Sequence, residues 1–292
     1  MTAINCPEPY RPCPDGPGSS EPSTRKETPK APILSGAFSL KTSRQWFDGF
    51  VDSYQRQDPD AWADFENKRR HTLKVLEEIR LLGAALLLDE RLSRLADIIA
   101  LFHDLGRFEQ LLHYSTLLDA GSIDHAMLSV AIMRRGDLLT ELPRRDCALV
   151  KAAILLHNRL RLRQGLNPEL AVLARLLRDA DKLANFPDLL DNFDSHANNF
   201  DTLRMPLEHR PGAFTPEVFA EVAANRAVDY RRVRFANDIL IAALGWTFDL
   251  NFDHTRREVL DRGYIDRFAT LLPQTSPFVK MIQIVRRGLS LI

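Results

Sequence analysis

From Ser43 onward the apolar residues recur at three- and four-residue spacings, with few β-branched runs and no long alternating stretch. That is the period of packed α-helices rather than of strands. The spacing predicts helices near 43–56, 59–86, 90–103, 123–135, 144–159, 168–185, 215–230, 233–246, 253–262 and 277–290. Four pairs of a polar residue and a proline, Asp58-Pro59, Asn167-Pro168, Thr215-Pro216 and Ser276-Pro277, read as helix starts. In each, the side chain accepts a free backbone N–H while proline fills a position that needs no donor. No internal repeat or heptad run is present, which argues against a solenoid or a long coiled coil. The fold expected is all-α.

Residues 1–40 break the pattern, holding 8 of the 17 prolines together with Gly16, Gly18, Ser19, Ser20 and Ser23. Such a stretch buries too little apolar surface to offset its ordering entropy, and it reads as a disordered tail. The division expected is therefore a tail over 1–40, a helical core over 41–200, and C-terminal helices over 201–292 packed on that core. With 292 residues, 45% of them hydrophobic, the chain is long enough for one large core.

Charge narrows the function classes. Lys plus Arg number 39 and so do Asp plus Glu, so no field of one sign gathers nucleic acid or an anionic membrane. Apolar runs such as Leu81 to Leu88 fall far short of the roughly 20 residues that cross a bilayer, and no basic start followed by an apolar run marks a secretory signal. A cytoplasmic location is the expectation. Cys6, Cys13 and Cys147 form no CxxC pair, and Cys147, in an apolar stretch, reads as a small core residue.

Several histidines fall on inward helical positions. His71 shares a face with Val75, Ile79 and Leu82; His103 follows Leu95, Ile99 and Phe102 before the turn at Gly106; His157 lies four residues after Ala153 and seven after Val150. One inward histidine is ordinarily a hydrogen-bonded core residue. Two acids change the picture, because Asp104 is contiguous with His103 and Asp181 comes from the apolar helix Ala171 to Ala184. A carboxylate buried without a partner is costly, so both need a cation nearby, and a metal ion is one. Imidazole and carboxylate suit zinc, iron, manganese or nickel, and the lack of cysteine ligands argues against a structural zinc.

His71, the His103-Asp104 pair within LFHDLGRFEQ, and Asp181 within RDADKLAN resemble the H…HD…D signature of HD-superfamily phosphohydrolases, over roughly residues 65–190. The resemblance implies an HD-domain helical bundle in which these four residues hold one divalent ion. His125, in SIDHA, and His157, in LLHNR, match the two further histidines of the branch that binds two ions. Asp104 would then bridge a pair of transition-metal ions, from iron, manganese, zinc, cobalt or nickel. The chemistry implied is hydrolysis of a phosphate ester by a metal-activated water, with a nucleotide or dinucleotide as substrate class and a phosphomonoester close behind. Besides Asp104, Arg107 and Lys182 stand as catalytic candidates. Arg107 occupies a place where many relatives carry lysine and would hold a phosphate oxygen in bidentate fashion. Lys182 either neutralises a leaving group or pairs with an acid at the surface, and Asn158 and Arg159 stand in the same position. Asp124 either orients a ring nitrogen of His125 or caps a helix.

Two places have rival occupants. His113 competes with His125, which is preferred because SIDHA opens an apolar helix. Asp179 competes with Asp181, which lies nearer the stripe of Leu173, Leu177, Ala180 and Ala184. His196, His209 and His254 show no ligand spacing. The run Trp246, Phe248, Leu250 and Phe252 either plugs the core or walls a nucleobase pocket, and Arg159-Leu-Arg-Leu-Arg163 reads as a solvated edge. Two other functions share the ligand set. One is a diiron oxygenase of HD type; the other is a regulatory module that binds a nucleotide without catalysis, its C-terminal helices relaying a signal or forming a homodimer.

Overall fold

A computed structural model describes residues 26–30, 40–120, 122–194, 204, 207–208, 210 and 212–290. Among these the regular structure is helical, and the one β-type pairing is an isolated bridge between Glu208 and Phe235.

The core begins with α1 (Leu40–Gln57) and α2 (Trp62–Ala85), joined by a single 3-10 turn at Pro59–Ala61. Positions 46, 47, 50 and 54 of α1 place Trp46, Phe47, Phe50 and Tyr54 on one face. Trp46 stacks on Phe50, and the rings of Phe47, Phe50 and Tyr54 pack with Phe65 of α2 and Phe108, at centroid distances from 4.9 to 6.1 Å. Burial of each such ring contributes about 1.5–3 kcal/mol. Phe108 comes from α4 (Leu105–Tyr114), which follows α3 (Glu90–Phe102) after a break of only two residues, His103 and Asp104. Next come α5 (His125–Arg135), α6 (Arg144–His157) and the long α7 (Pro168–Asp194). Helix α2 packs between α3 and α7, α6 lies along α7, and α4 along α5. Local chemistry starts several of these helices: Asp89 accepts the Leu92 N–H at 2.8 Å, Asp124 accepts those of Ala126 and Met127, and Asn167 those of Glu169 and Leu170.

Five further helices, α8 (Pro216–Ala223), α9 (Ala236–Trp246), α10 (Asp253–Asp261), α11 (Tyr264–Leu271) and α12 (Ser276–Ser290), form an annex seated on α7. Phe186 of α7 meets Trp246, Tyr264 and Phe268 at centroid distances of 5.4 to 5.8 Å. None of the described helices is long and apolar enough to cross a membrane.

The all-α expectation is met, and several details differ. Helices α4 and α11 lie where no helix was expected, α8 ends at Ala223 rather than near 230, and α9 begins at Ala236 rather than 233. Of the four expected caps only that of Asn167 forms: Ser276 is the first residue of α12 rather than its cap, and the other two side chains are engaged elsewhere. Asp58 makes no cap bond and pairs with Lys26 instead, and the Thr215 hydroxyl donates to Asp238 at 2.6 Å. In both cases a charged partner from elsewhere outcompetes the local backbone N–H. The tail expected over 1–40 falls mostly outside the described residues; residues 26–30, which are described, lie against the core through Lys26 and through Thr28, 2.8 Å from His113. Cys6, Cys13, His196 and His209 also lie outside the described residues.

Candidate metal centre

One hydroxyl fixes the turn that carries His103 and Asp104. Ser129 Oγ, buried on α5, sits 2.7 Å from the His103 carbonyl and 2.9 Å from that of His125, and accepts the Gly106 N–H at 2.8 Å. A Cβ on Gly106 would stand 2.1 Å from the His125 carbonyl oxygen, so only glycine lets α4 approach α5 this closely.

Three of the four imidazoles are oriented by their outer nitrogens, while His71 Nδ1 is buried without a hydrogen-bond partner. His103 Nδ1 donates to the Ala100 carbonyl at 2.8 Å, which leaves Nε2 as a buried lone pair without a hydrogen-bond partner. That lone pair faces Asp104 Oδ2 at 3.7 Å and Asp181 Oδ1 at 4.0 Å. His71 Nε2 completes this side, 3.1 Å from Asp181 Oδ1 and 3.9 Å from Asp104 Oδ2. Across Asp104, His157 Nδ1 donates to the Ile154 carbonyl at 2.6 Å, and His125 Nδ1 donates to the Asp119 carboxylate at 2.7 Å. The two remaining Nε2 atoms then point lone pairs at each other across 3.0 Å, with Asp104 Oδ1 at 3.5 Å from one and 3.8 Å from the other.

Lone pairs and carboxylates aimed at a common point repel unless a cation stands among them. Donors held ~2.0–2.2 Å from one ion stand about 3.0–3.5 Å apart at tetrahedral or octahedral angles, close to the separations here. His71, His103 and Asp181 offer donor atoms all within 4.8 Å of one another, and so do His103, Asp104 and His157. The donor set therefore fits a divalent metal ion. A third acidic group, Asp119, Asp124 and His125, is also compact. There the carboxylates already have work, Asp119 on His125 Nδ1 and Asp124 at the start of α5.

Electrostatics agree with this arrangement. Burial pushes His103 down to about 4 against the pull of Asp104 and Asp181, and burial together with Arg107 pushes His125 down to about 4. Both rings are thus neutral near pH 7, the form that ligates. Burial works against ionisation of Asp104, Asp119 and Asp181. The imidazoles beside them, joined at Asp104 by Lys68 and at Asp104 and Asp119 by Arg107, hold all three carboxyls below the usual carboxylate range.

The centre opens into a cavity of about 730 Å³. Asp181 lies at its edge, with a quarter of its side chain exposed, and Asn185, one turn along α7, donates to Asp181 Oδ1 at 2.9 Å. Arg107 lines the cavity, but its Nη1 is engaged by Gln110, Leu117 and Asp119, and its Nε lies 3.7 Å from Asp104 Oδ1. Lys182 pairs with Asp249 at 2.7 Å, an acid of the annex rather than of the outer surface. Asn158 donates to Asp119 and Asp124, and Arg159 pairs with Asp124.

The rivals lie elsewhere. His113, on the last turn of α4, faces Thr28. Asp179 is fully buried and accepts from the backbone of Asn251 and Phe252 and from the Thr255 hydroxyl, at the start of α10. His254 lies on α10 near Glu258. Of the aromatic run, Trp246 lines the cavity while Leu250 is buried in the core.

Three contributors escaped the sequence reading. Asp119 sits in a loop without periodicity and gives no signal. Asn185 and Lys68, whose ammonium is 3.6 Å from Asp104 Oδ2, do give one, for each lies a single helical turn from a candidate ligand, Asp181 and His71 respectively.

No curated protein and no solved structure matches the chain. All six converging side chains lie within residues 69–185, and that segment matches the family model of the HD domain.

Proposed function

We propose that the chain is a metal-dependent phosphohydrolase whose centre holds two divalent transition ions, one between His71, His103 and Asp181 and one between His125 and His157, with Asp104 shared. The observation that carries this reading is the split of the Asp104 carboxylate: Oδ2 faces His71 and His103, and Oδ1 faces His125 and His157. When bound, such a pair of ions lowers the pKa of a shared water and draws charge from phosphoryl oxygens.

The chain's own residues supply the rest. Neutral His103 and His125 present lone pairs without first losing a proton, and Asp119 fixes the ring of His125 so that its Nε2 stays aimed inward. Asn185 and His71 hold Asp181 between them. Lys68 places a positive charge beside Asp104 on the cavity wall, where a phosphate is favoured even though the chain as a whole is neutral. Arg107 serves Asp119 through Nη1 and faces Asp104 through its buried Nε, which leaves Nη2 for a phosphate oxygen. The cavity volume suits a small phosphate ester of nucleotide size.

Metal analysis of the purified protein, followed by an anaerobic screen of phosphorylated metabolites with manganese, iron, cobalt and nickel, tests the proposal. About two ions per chain and metal-dependent phosphate release are expected, both lost in Asp104→Ala. A protein that retains no transition metal after reconstitution overturns it, and so does turnover that requires oxygen and reduced iron.

A further inference from the structure

Helix α6 ends at His157, so the carbonyls there have no further helical turn to meet. Arg178, buried on α7, meets them instead. Its Nη1 donates to the His157 carbonyl at 2.8 Å, to that of Leu156 at 3.2 Å, and to that of Arg159. A cation at this end of a helix also offsets the negative end of its dipole. One guanidinium thus holds the main chain at His157 and two residues beyond it, while the ring of His157 is turned by the Ile154 carbonyl.

A guanidinium so deeply buried needs a counter-charge. Asp249 supplies it from the 3-10 turn Thr247–Asp249, which follows α9 in the annex. Its carboxylate accepts from Arg178 Nη2 and, at 2.7 Å, from Lys182 Nζ. The turn itself is fixed: the Thr247 hydroxyl donates to the Leu244 carbonyl at 2.6 Å, and α12 packs against the turn. Arg178 borders the cavity, yet only 4% of its side chain is exposed, which leaves little of it to touch a ligand. The His71 side of the centre is held by other partners, Ala100 for His103 and Asn185 for Asp181.

Resting on the two-ion reading, we propose that Arg178, held by Asp249, is a positioning residue for His157. It fixes the end of α6 so that His157 Nε2 stays 3.0 Å from His125 Nε2, on the Oδ1 side of Asp104. Asp249 lies outside residues 69–185, so the annex takes part in setting one half of the metal centre and leaves the other half to the matched segment.

Titration of the full chain with cobalt(II) against a competing chelator reads the two positions separately, and His157→Ala identifies the ion that His157 holds. Arg178→Gln is expected to weaken that ion roughly tenfold to a hundredfold, the usual loss when a ligand's support is removed, and to leave the other within twofold. Asp249→Asn is expected to show the same selectivity at smaller size. In the His157→Ala background Arg178→Gln is expected to add nothing, because it acts through that ring. A merely stabilising role would loosen both ions and would persist without His157. Equal weakening of the two ions, an effect that survives in His157→Ala, or affinities within twofold of wild type in either variant overturns the proposal. If Arg178→Gln loses its fold, Asp249→Asn decides by the same criteria. A wild type that binds one ion overturns both this assignment and the two-ion reading. Two ions with the selective loss but no phosphate release leave the assignment standing and remove only the phosphohydrolase reading.

Discussion

Helix α7 turns one carboxylate toward each half of the molecule. Asp179, fully buried, faces the annex and is surrounded by neutral donors, the N–H groups of Asn251 and Phe252 and the Thr255 hydroxyl. Burial raises its pKa, against the pull of Lys182 and those hydrogen bonds. Asp181, two residues on and partly open to the cavity, faces imidazoles, and its pKa is lowered. One carboxylate is consumed in starting α10; the other retains affinity for a cation. The difference teaches that burial alone does not mark a ligand. What marks it is the company of the charge: imidazoles and a second carboxylate around Asp181, backbone and hydroxyl donors around Asp179.

Paired substitutions sharpen that contrast. Asp181→Ala is expected to lower turnover by at least roughly three orders of magnitude and to deplete bound metal, while the thermal midpoint of the metal-free protein changes little; phosphate release and elemental analysis check it. Asp179→Ala should do the reverse, costing about 2–5 kcal/mol in urea unfolding because several buried donors lose their acceptor, with metal per folded chain retained. Equal effects of the two on metal content would erase the distinction.

Acid treatment separates the same regions. His103 and His125 have folded-state values near 4, against an unfolded value of about 6.5. Between those limits the unfolded chain binds more protons. Their stabilising effect is therefore complete above about pH 6.5 and is lost as the pH falls towards 4, by an amount on the order of a few kcal/mol. Urea midpoints of metal-stripped protein across that window measure it, and a flat profile would contradict the buried, neutral rings. Smallest is the outer layer: Asp119→Asn should reduce metal affinity about tenfold to a hundredfold, read by chelator competition, as expected for a group that only orients His125.

Helices α2, α3, α6 and α7 were legible because each carries an apolar stripe long enough to set its period. Helix α4 was not, since LGRFEQLLHY contains glycine and several polar residues, and tertiary contacts of Phe108 and Leu111 stabilise it. The six candidate ligands could be named from their surroundings in the sequence. Asp119 and Trp246 could not be placed beside the centre, because their nearness to it depends on loop paths and on how the annex seats against α7. Asp58 and Thr215 show the opposite failure: a correct local motif whose side chain is drawn to a distant charge.

Ser129 gives the centre a property that its loops lack. Because a single hydroxyl ties His103, Gly106 and His125 together, the spacing of the two halves is gauged inside the helical frame. The rim from Ser115 to Asp124, Asp119 and Asp124 apart, can then lengthen, shorten or change composition without altering that gauge. Such a scaffold can acquire new substrates at its mouth while its interior dimensions stay constant.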